Sequence, residues 1–353
     1  MADFAKTLIT WHQKHGRHDL PWQKNRTPYR VWISEIMLQQ TQVATVIPYF
    51  NTFMDSFPTV KQLADADIDQ VLHLWTGLGY YARARNMHKA AIMLRDEYDG
   101  EFPGDIEGVT GLPGIGRSTA GAILALSMNK PEAILDGNVK RVLSRYHGIH
   151  GWPGKKQVEN ALWDVATMHT PKQDVATYTQ AIMDLGASLC SRSKPDCTHC
   201  PFSEDCVANQ EGIQHLLPGK KPKKSIPVKQ ARFAIVENDA GEVLLEQRPP
   251  TGIWGGLWGF PQCELQEDLQ SWLKETHQVE TELLQHEPTL RNTFSHFHLD
   301  ILPTRLKAHA LNTSIEDKAG LCWYKPSGKQ QLGMAAPVKK LMDDLYMNNA
   351  GEK

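Results

Sequence analysis

Four cysteines, Cys190, Cys197, Cys200 and Cys206, stand in the pattern Cys-x6-Cys-x2-Cys-x5-Cys, with Pro195 and Pro201 beside them. The chain opens with no apolar run of signal-peptide length, so a compact disulfide framework is not expected and metal ligation is the leading reading. Four soft thiolates suit Zn²⁺ or an iron–sulfur cluster, and spacing alone does not choose between them. Cys263 and Cys322 lie outside this group and read as free thiols.

Two carboxylates could do acid–base chemistry. Glu35 is the only Asp, Glu, Lys or Arg between Arg30 and Asp55, and on a helix it shares a face with Val31 and Leu38. Burial among such neighbours raises a carboxyl pKa, as a general acid working near neutrality needs. Asp136 precedes an amphipathic stretch, Val139, Val142, Leu143 and Tyr146, where an N-cap carboxylate stabilises a helix by about 1 kcal/mol. Held anionic beside helix N–H groups, the same carboxylate could stabilise a developing cation. About twenty residues earlier, Leu112-Pro113-Gly114-Ile115-Gly116 leads into a small-residue helix. Gly114 and Gly116 there permit a tight turn that presents N–H groups to an anion such as a DNA phosphate. Gly77-Leu78-Gly79-Tyr80-Tyr81 with Arg83 and Arg85 offers a glycine turn, aromatic side chains and phosphate partners; elsewhere, adjacent tyrosines are more often core or surface filler.

The elements that must position these groups fall into two textures. Helical periodicity runs to about Asn209, and a Pro/Lys run, Leu217–Lys224, reads as a solvated tether. After it, Arg232–Val236 and Val243–Leu245 flank an Asn238–Gly241 turn as a hairpin. Phe297, Leu299 and Ile301 alternate with His296, His298 and Asp300 as a half-buried strand should. Helices are predicted near Leu269–His277 and Val338–Tyr346. At 353 residues, 41% hydrophobic and 22% charged, the chain has room for two ordinary domains. The predicted fold class is therefore α+β multidomain: an all-α domain over residues 1–212, a linker over 213–228 and an α+β domain over 229–348. No membrane span is read, and a cytoplasmic location is expected. The net charge of −2 argues mildly against a general nucleic-acid binder. Lys and Arg outnumber Asp and Glu 25 to 23 through Val228, against 13 to 17 after it. Arg141, Arg145, Lys155, Lys156, Arg192 and Lys194 crowd near the two motifs, a pattern that suits a local phosphate track.

Met37-Leu38-Gln39-Gln40-Thr41-Gln42 beside Glu35, the Leu112–Gly116 turn followed by Asp136-Gly137-Asn138-Val139-Lys140, and the cysteine spacing resemble, in that order along the chain, the MutY branch of the helix-hairpin-helix (endonuclease III) DNA glycosylases. The resemblance implies an all-α helix-hairpin-helix glycosylase domain with a 4Fe–4S cluster on Cys190, Cys197, Cys200 and Cys206, in a loop spanning 190–206. It implies that Glu35 protonates a ring nitrogen of a flipped adenine and later activates water. Asp136 then stabilises the oxocarbenium ion, directly or through a covalent intermediate, and Asn138 orients these groups. Gln40 and Tyr80 are the residues it places at the lesion pair, with Gly114, Gly116, Ser118 and Lys140 near the DNA. Ser118 stands where endonuclease III-type enzymes carry a lysine nucleophile, which points to a monofunctional glycosylase; Lys140 could trap an abasic sugar incidentally. Leu20-Pro21-Trp22 also matches, but His18-Asp19 replaces a basic residue often found before it.

Gly256-Leu257-Trp258-Gly259-Phe260-Pro261 resembles the segment preceding a Nudix box, yet Gln266–Trp272 lacks the metal-binding glutamates that should follow. A Nudix-like domain turned to recognition is implied, with Phe294, Ser295 and His296 reading 8-oxoguanine. His296 and His298 have no evident third ligand and are not read as a metal site. The implied partner is double-stranded DNA with A:8-oxoguanine or A:G mispairs, bound by a monomer. A bifunctional glycosylase/lyase is disfavoured by Ser118 and by the second domain. A non-catalytic lesion-binding protein is disfavoured by the presence of both Glu35 and Asp136, and a nucleotide pyrophosphatase by the missing Nudix helix.

Overall fold

Side-chain caps begin the helices that matter here. The hydroxyl of Thr27 accepts from the Arg30 N–H at 3.2 Å and Pro28 fills the first turn, so Pro28–Leu38 starts where its sequence says it should. The carboxylate of Asp136 accepts from the Val139 N–H at 2.8 Å and opens Gly137–Tyr146. The computed structural model describes residues 3–222, 225–309, 320–326, 328 and 330–350, the side chains of 347–350 excepted. Contacts divide the chain into two units. The first is Met1–Asp65 with Asn86–Lys223, and the second is Ala66–Arg85 with Lys224–Lys353.

The first unit is helical. Pro28–Leu38 buries Trp32, Ile33 and Met37 and packs on Arg117–Met128, while Val175–Ala187 packs on Phe4–His15, Arg117–Met128 and Gly137–Tyr146. Each fully buried side chain of this size contributes about 1.5–3 kcal/mol. Gly186 allows a close approach of Val175–Ala187 to Gly137–Tyr146, since a Cβ there would lie 2.6 Å from the Asn138 Cβ. Asp184, 2% exposed, ties the N-terminal helix to Val175–Ala187. Its carboxylate accepts from the Arg17 N–H at 2.8 Å and Nε at 2.9 Å and from Gln180 Nε2 at 3.0 Å, and it lies 3.2 Å from His12 Nε2. Burial pushes this carboxyl up, but bonds from His12 and Arg17 outweigh it and hold the pKa below the usual range.

The Pro/Lys run departs from a solvated tether over its first half. Leu217 is buried and its carbonyl accepts from Arg145 Nε at 3.0 Å; the Gly219 N–H donates to the Gly151 carbonyl at 2.9 Å. The physical reason is local: the run opens on an apolar residue with a pocket to fill, and its lysines begin only at Lys220.

The second unit is built on a mixed sheet of β1 (Val228–Glu237), β2 (Val243–Gln247), β3 (Trp258–Gly259), β4 (Gln262–Cys263), β5 (Thr281–His286), β6 (Leu290–Thr293), β7 (His298–Ala308) and β8 (Leu321–Tyr324). The main path is β3-β2-β1-β7-β5, with β4 on β1, β6 on β7 and β8 on β2; β1 and β7 run parallel from Val228/His298 to Glu237/Lys307. The predicted hairpin is β1–β2, turned at Asn238–Gly241. Leu269–His277 covers Ala234, Val236, Leu244 and Leu306. The final helix, Ala336–Ala350, is longer than predicted at both ends.

Asp300 departs from the predicted alternation. It is buried beside Leu299 and Ile301, because β7 is an interior strand and Arg291 of β6 donates to its carboxylate at 2.6 and 2.8 Å. The Ala66–Arg85 segment joins this unit through Asp69, which accepts from Trp258 Nε1 at 3.2 Å, and through the Tyr81 hydroxyl, which donates to the Met334 carbonyl at 2.8 Å. No helix among the described residues is long and apolar enough to cross a membrane.

Candidate active site

A cavity of about 480 Å³ opens in the first unit, and Glu35, Asp136, Asn138, Ser118 and Gln40 all line it, though they are spread over a hundred residues of sequence. Glu35 comes from the last turn of Pro28–Leu38, with Val31 and Leu38 on the same wall. Burial first, and the charge of Asp136 second, push its pKa up to about 8. At neutral pH this carboxyl therefore holds its proton, which is the state a general acid requires.

The Asp136 carboxylate is held at both oxygens. Oδ1 caps the helix, while Oδ2 accepts from Asn138 Nδ2 at 3.2 Å. Burial raises its pKa, against the Val139 and Asn138 backbone bonds and the Arg141 charge, which favour the anion. The two carboxyls thus share one cavity. Asn138 is itself held by Arg141, whose guanidinium donates to Asn138 Oδ1 at 2.8 Å, to the Gly186 carbonyl at 2.6 Å and to the Cys190 carbonyl at 2.7 Å.

Ser118 lines the cavity, but its hydroxyl oxygen accepts from the Leu135 N–H at 2.9 Å and so braces the approach to Asp136. Gln40 lines the mouth with its backbone in the left-handed region, φ 57°. Lys140 is not among the lining residues; its Nζ pairs with Glu159 at 3.0 Å. In the turn ahead of Arg117–Met128, Gly114 has φ 77° and a Cβ there would meet Asn86 at 2.7 Å, so glycine is required. Gly116 is different: it has an ordinary φ of −91°, and a Cβ there would meet nothing within 4 Å. It leaves open space at a helix start that has no side-chain cap bond.

Cys190, Cys197, Cys200 and Cys206 line one small, largely apolar hollow. Burial, and then Cys190, Cys206 and Cys197 nearby, push the Cys200 thiol up to about 11. Among the described residues, no three His, Cys, Asp or Glu side chains are grouped as the ligands of a metal ion would be. Arg145 is buried and organises the loop, donating to the carbonyls of Ser191 at 2.7 Å and Arg192 at 3.1 Å and to Cys190 Sγ at 3.3 Å. Arg141 and Arg145 are thereby withdrawn from the predicted phosphate track, because the loop's carbonyls take their donors. Lys155, Lys156, Arg192 and Lys194 remain exposed.

Residues 33–168 match the HhH-GPD superfamily of base excision DNA repair proteins, and residues 232–344 match the NUDIX domain. The adenine DNA glycosylase of Buchnera aphidicola subsp. Acyrthosiphon pisum is 41% identical over 345 residues, 98% of each chain. The chain belongs to the adenine DNA glycosylase family. The Rattus norvegicus adenine DNA glycosylase is 34% identical, over 96% of this chain and 77% of that one. Among solved structures, a thermostable thymine-DNA glycosylase is 26% identical with a TM-score of 0.53, covering 59% of this chain and 95% of that one. As a family member the chain is a DNA glycosylase, with a helical HhH-GPD domain followed by a Nudix-like one.

The remaining residues expected in this glycosylase's site lie in the second unit. Tyr80 is 53% exposed with φ 49°, next to Gly79 at φ 69°, and the Arg83 guanidinium sits 5.6 Å from its ring. Its neighbour Tyr81 is core. Phe294, Ser295 and His296 form the tight turn between β6 and β7, closed by the Phe294 N–H donating to the Phe297 carbonyl at 2.9 Å; Ser295 and His296 are exposed. Sequence reasoning missed Arg17, Arg26 and Gln180, which also line the cavity. The signal available was charge and amide groups close to Trp22 and Asp184, which is weak without the fold.

Proposed function

We propose that this glycosylase hydrolyses the N-glycosidic bond of adenine mispaired with 8-oxoguanine or guanine in double-stranded DNA, as the first step of base excision repair. The pairing of Glu35, protonated up to about pH 8, with Asp136 in one cavity carries this reading. Glu35 donates its proton to a ring nitrogen of the flipped base. The bond between the sugar C1′ and the base breaks, and its electron pair leaves with a neutral adenine. Asp136, held by the Val139 N–H and by Asn138, stabilises the oxocarbenium ion. Glu35, now a carboxylate, takes a proton from water as the oxygen adds to C1′.

Ser118 at the lyase-lysine position, together with Lys140 turned to Glu159, supports a monofunctional enzyme that leaves the backbone intact. The open space at Gly116 suits a phosphate approaching the N-terminus of Arg117–Met128. Ser295 and His296 would read the base opposite adenine, with Gln40 and Tyr80 entering the stack. The four cysteines would hold a 4Fe–4S cluster. Four thiols around one hollow fit that donor set. When bound, the cluster cross-links the loop that carries Arg192 and Lys194.

Incubating the protein with duplexes carrying A:8-oxoguanine, A:G or thymine glycol, and resolving products with and without alkali, tests this. Strand breaks that need alkali, on the two adenine substrates only, are expected. Breaks without alkali, or release of thymine glycol, contradict it.

A further inference from the structure

The second unit holds a partly buried tryptophan in an unusual backbone conformation. Trp254 sits in the left-handed region at φ 54°, where a bulky residue is strained and glycine is not. Its loop is not short of glycine: Gly252, Gly255 and Gly256 surround it. The strained residue is also clamped on both sides. Arg248 Nε donates to the Ile253 carbonyl at 3.1 Å, Arg85 donates to the Gly255 carbonyl, and the Leu257 N–H donates to the carbonyl of Trp254 itself at 3.0 Å. Three contacts therefore hold an unfavourable backbone in place, and the indole they present is only partly buried.

The indole faces the turn already assigned to base reading. It lies 5.5 Å from the Phe294 ring, which stacks on Phe297 at 4.5 Å, and Phe233 closes its inner side at 6.3 Å. Lys229 Nζ stands 5.1 Å from the Phe297 ring, and Ser295 and His296 are exposed at the rim. An aromatic floor, hydroxyl and imidazole hydrogen-bonding groups and an adjacent cation together match a nucleobase on its phosphodiester backbone.

We propose that Trp254 and Phe294 form an aromatic ledge that packs against a base of the DNA strand carrying 8-oxoguanine. This rests on the reading of the second unit as the one that recognises that strand. Strain at Trp254 is then the conformation needed to aim the indole outward.

The test uses the full-length protein and a duplex carrying a non-hydrolysable adenine analogue opposite 8-oxoguanine. Trp254→Asn keeps a side chain that tolerates the left-handed region, and its affinity is expected to fall by about 5- to 150-fold, the range of one base–aromatic contact. Oxidative footprinting of the wild-type protein, read by mass spectrometry, is expected to show Trp254 protected by this duplex; that result decides the matter if the variant fails to fold. Unchanged affinity in a folded Trp254→Asn variant, or an indole oxidised equally with and without DNA, overturns the proposal. Ser295→Ala combined with His296→Ala separates the two readings. If that variant loses affinity and Trp254→Asn does not, only the ledge fails. If neither does, the second unit does not read the lesion strand.

Discussion

Replacing Glu35 by glutamine should make the protein more stable while removing its chemistry, and the gain should depend on pH as the raised pKa of a partly buried acid dictates. The pKa of Glu35 rises from an ordinary 4.5 to about 8 in the folded protein, by burial first and by Asp136 second. A folded-state pKa above the unfolded one means that its stabilising contribution is complete below pH 4.5 and is lost as pH rises through 8. At pH 7 the wild-type protein therefore forgoes about 3 kcal/mol relative to a neutral isostere, growing to about 5 kcal/mol at pH 9. For a unit of about 200 residues such as the first, about 3 kcal/mol is an increase of roughly 6–12 °C in apparent Tm. Thermal unfolding of wild type and Glu35→Gln, each from pH 4.5 to 9, should give curves that nearly meet at the acid end, diverge up to about pH 8 and run parallel above it. A constant offset across the range, or a less stable variant at pH 8, would contradict a raised folded-state pKa at Glu35.

Asp136→Asn separates capping from chemistry, because asparagine caps a helix about as well as aspartate. Its Tm should not fall, while single-turnover excision should drop about 10²–10³-fold for want of a negative charge beside the cationic sugar. Losing Asp136 also removes the second cause of the Glu35 shift, so the pH at which any residual activity falls should move down. Purified protein should be yellow-brown with about four irons and four inorganic sulfides per chain. A colourless, zinc-loaded preparation of full activity would contradict the cluster.

Much of the site could be read before the fold, because its residues are unusual where they stand. Glu35 interrupts a long uncharged stretch, and Asp136 follows a glycine turn at a fixed distance. Both then line one cavity with Asn138, Ser118 and Gln40. What could not be read depends on partners far away in sequence. Arg141 and Arg145 look like phosphate ligands when charges are counted, yet the carbonyls that claim them belong to a loop about fifty residues later. Lys140 lies one turn from Asp136 but faces Glu159. The Ala66–Arg85 segment carries no local sign that its carbonyl and indole partners, Met334 and Trp258, lie beyond the Pro/Lys run. One consequence is practical: cutting the chain after Lys224 would strip those partners from Tyr81 and Asp69, so point variants are the cleaner test of the second unit. Asp300 broke the predicted alternation for the same reason, since its cover comes from a neighbouring strand rather than from its own period.

The central claim is that Glu35 delivers a proton to adenine, and single-turnover release of adenine from an A:8-oxoguanine duplex across pH 6–10 tests it most directly. With wild-type protein the rate should hold level to about pH 8 and then fall tenfold per pH step, as the Glu35 proton is lost. Glu35→Gln should be slower by about 10²–10⁴-fold below pH 8 and show no such break. A wild-type rate that stays level to pH 10, or a glutamine variant within a few-fold of wild type, would contradict the assignment.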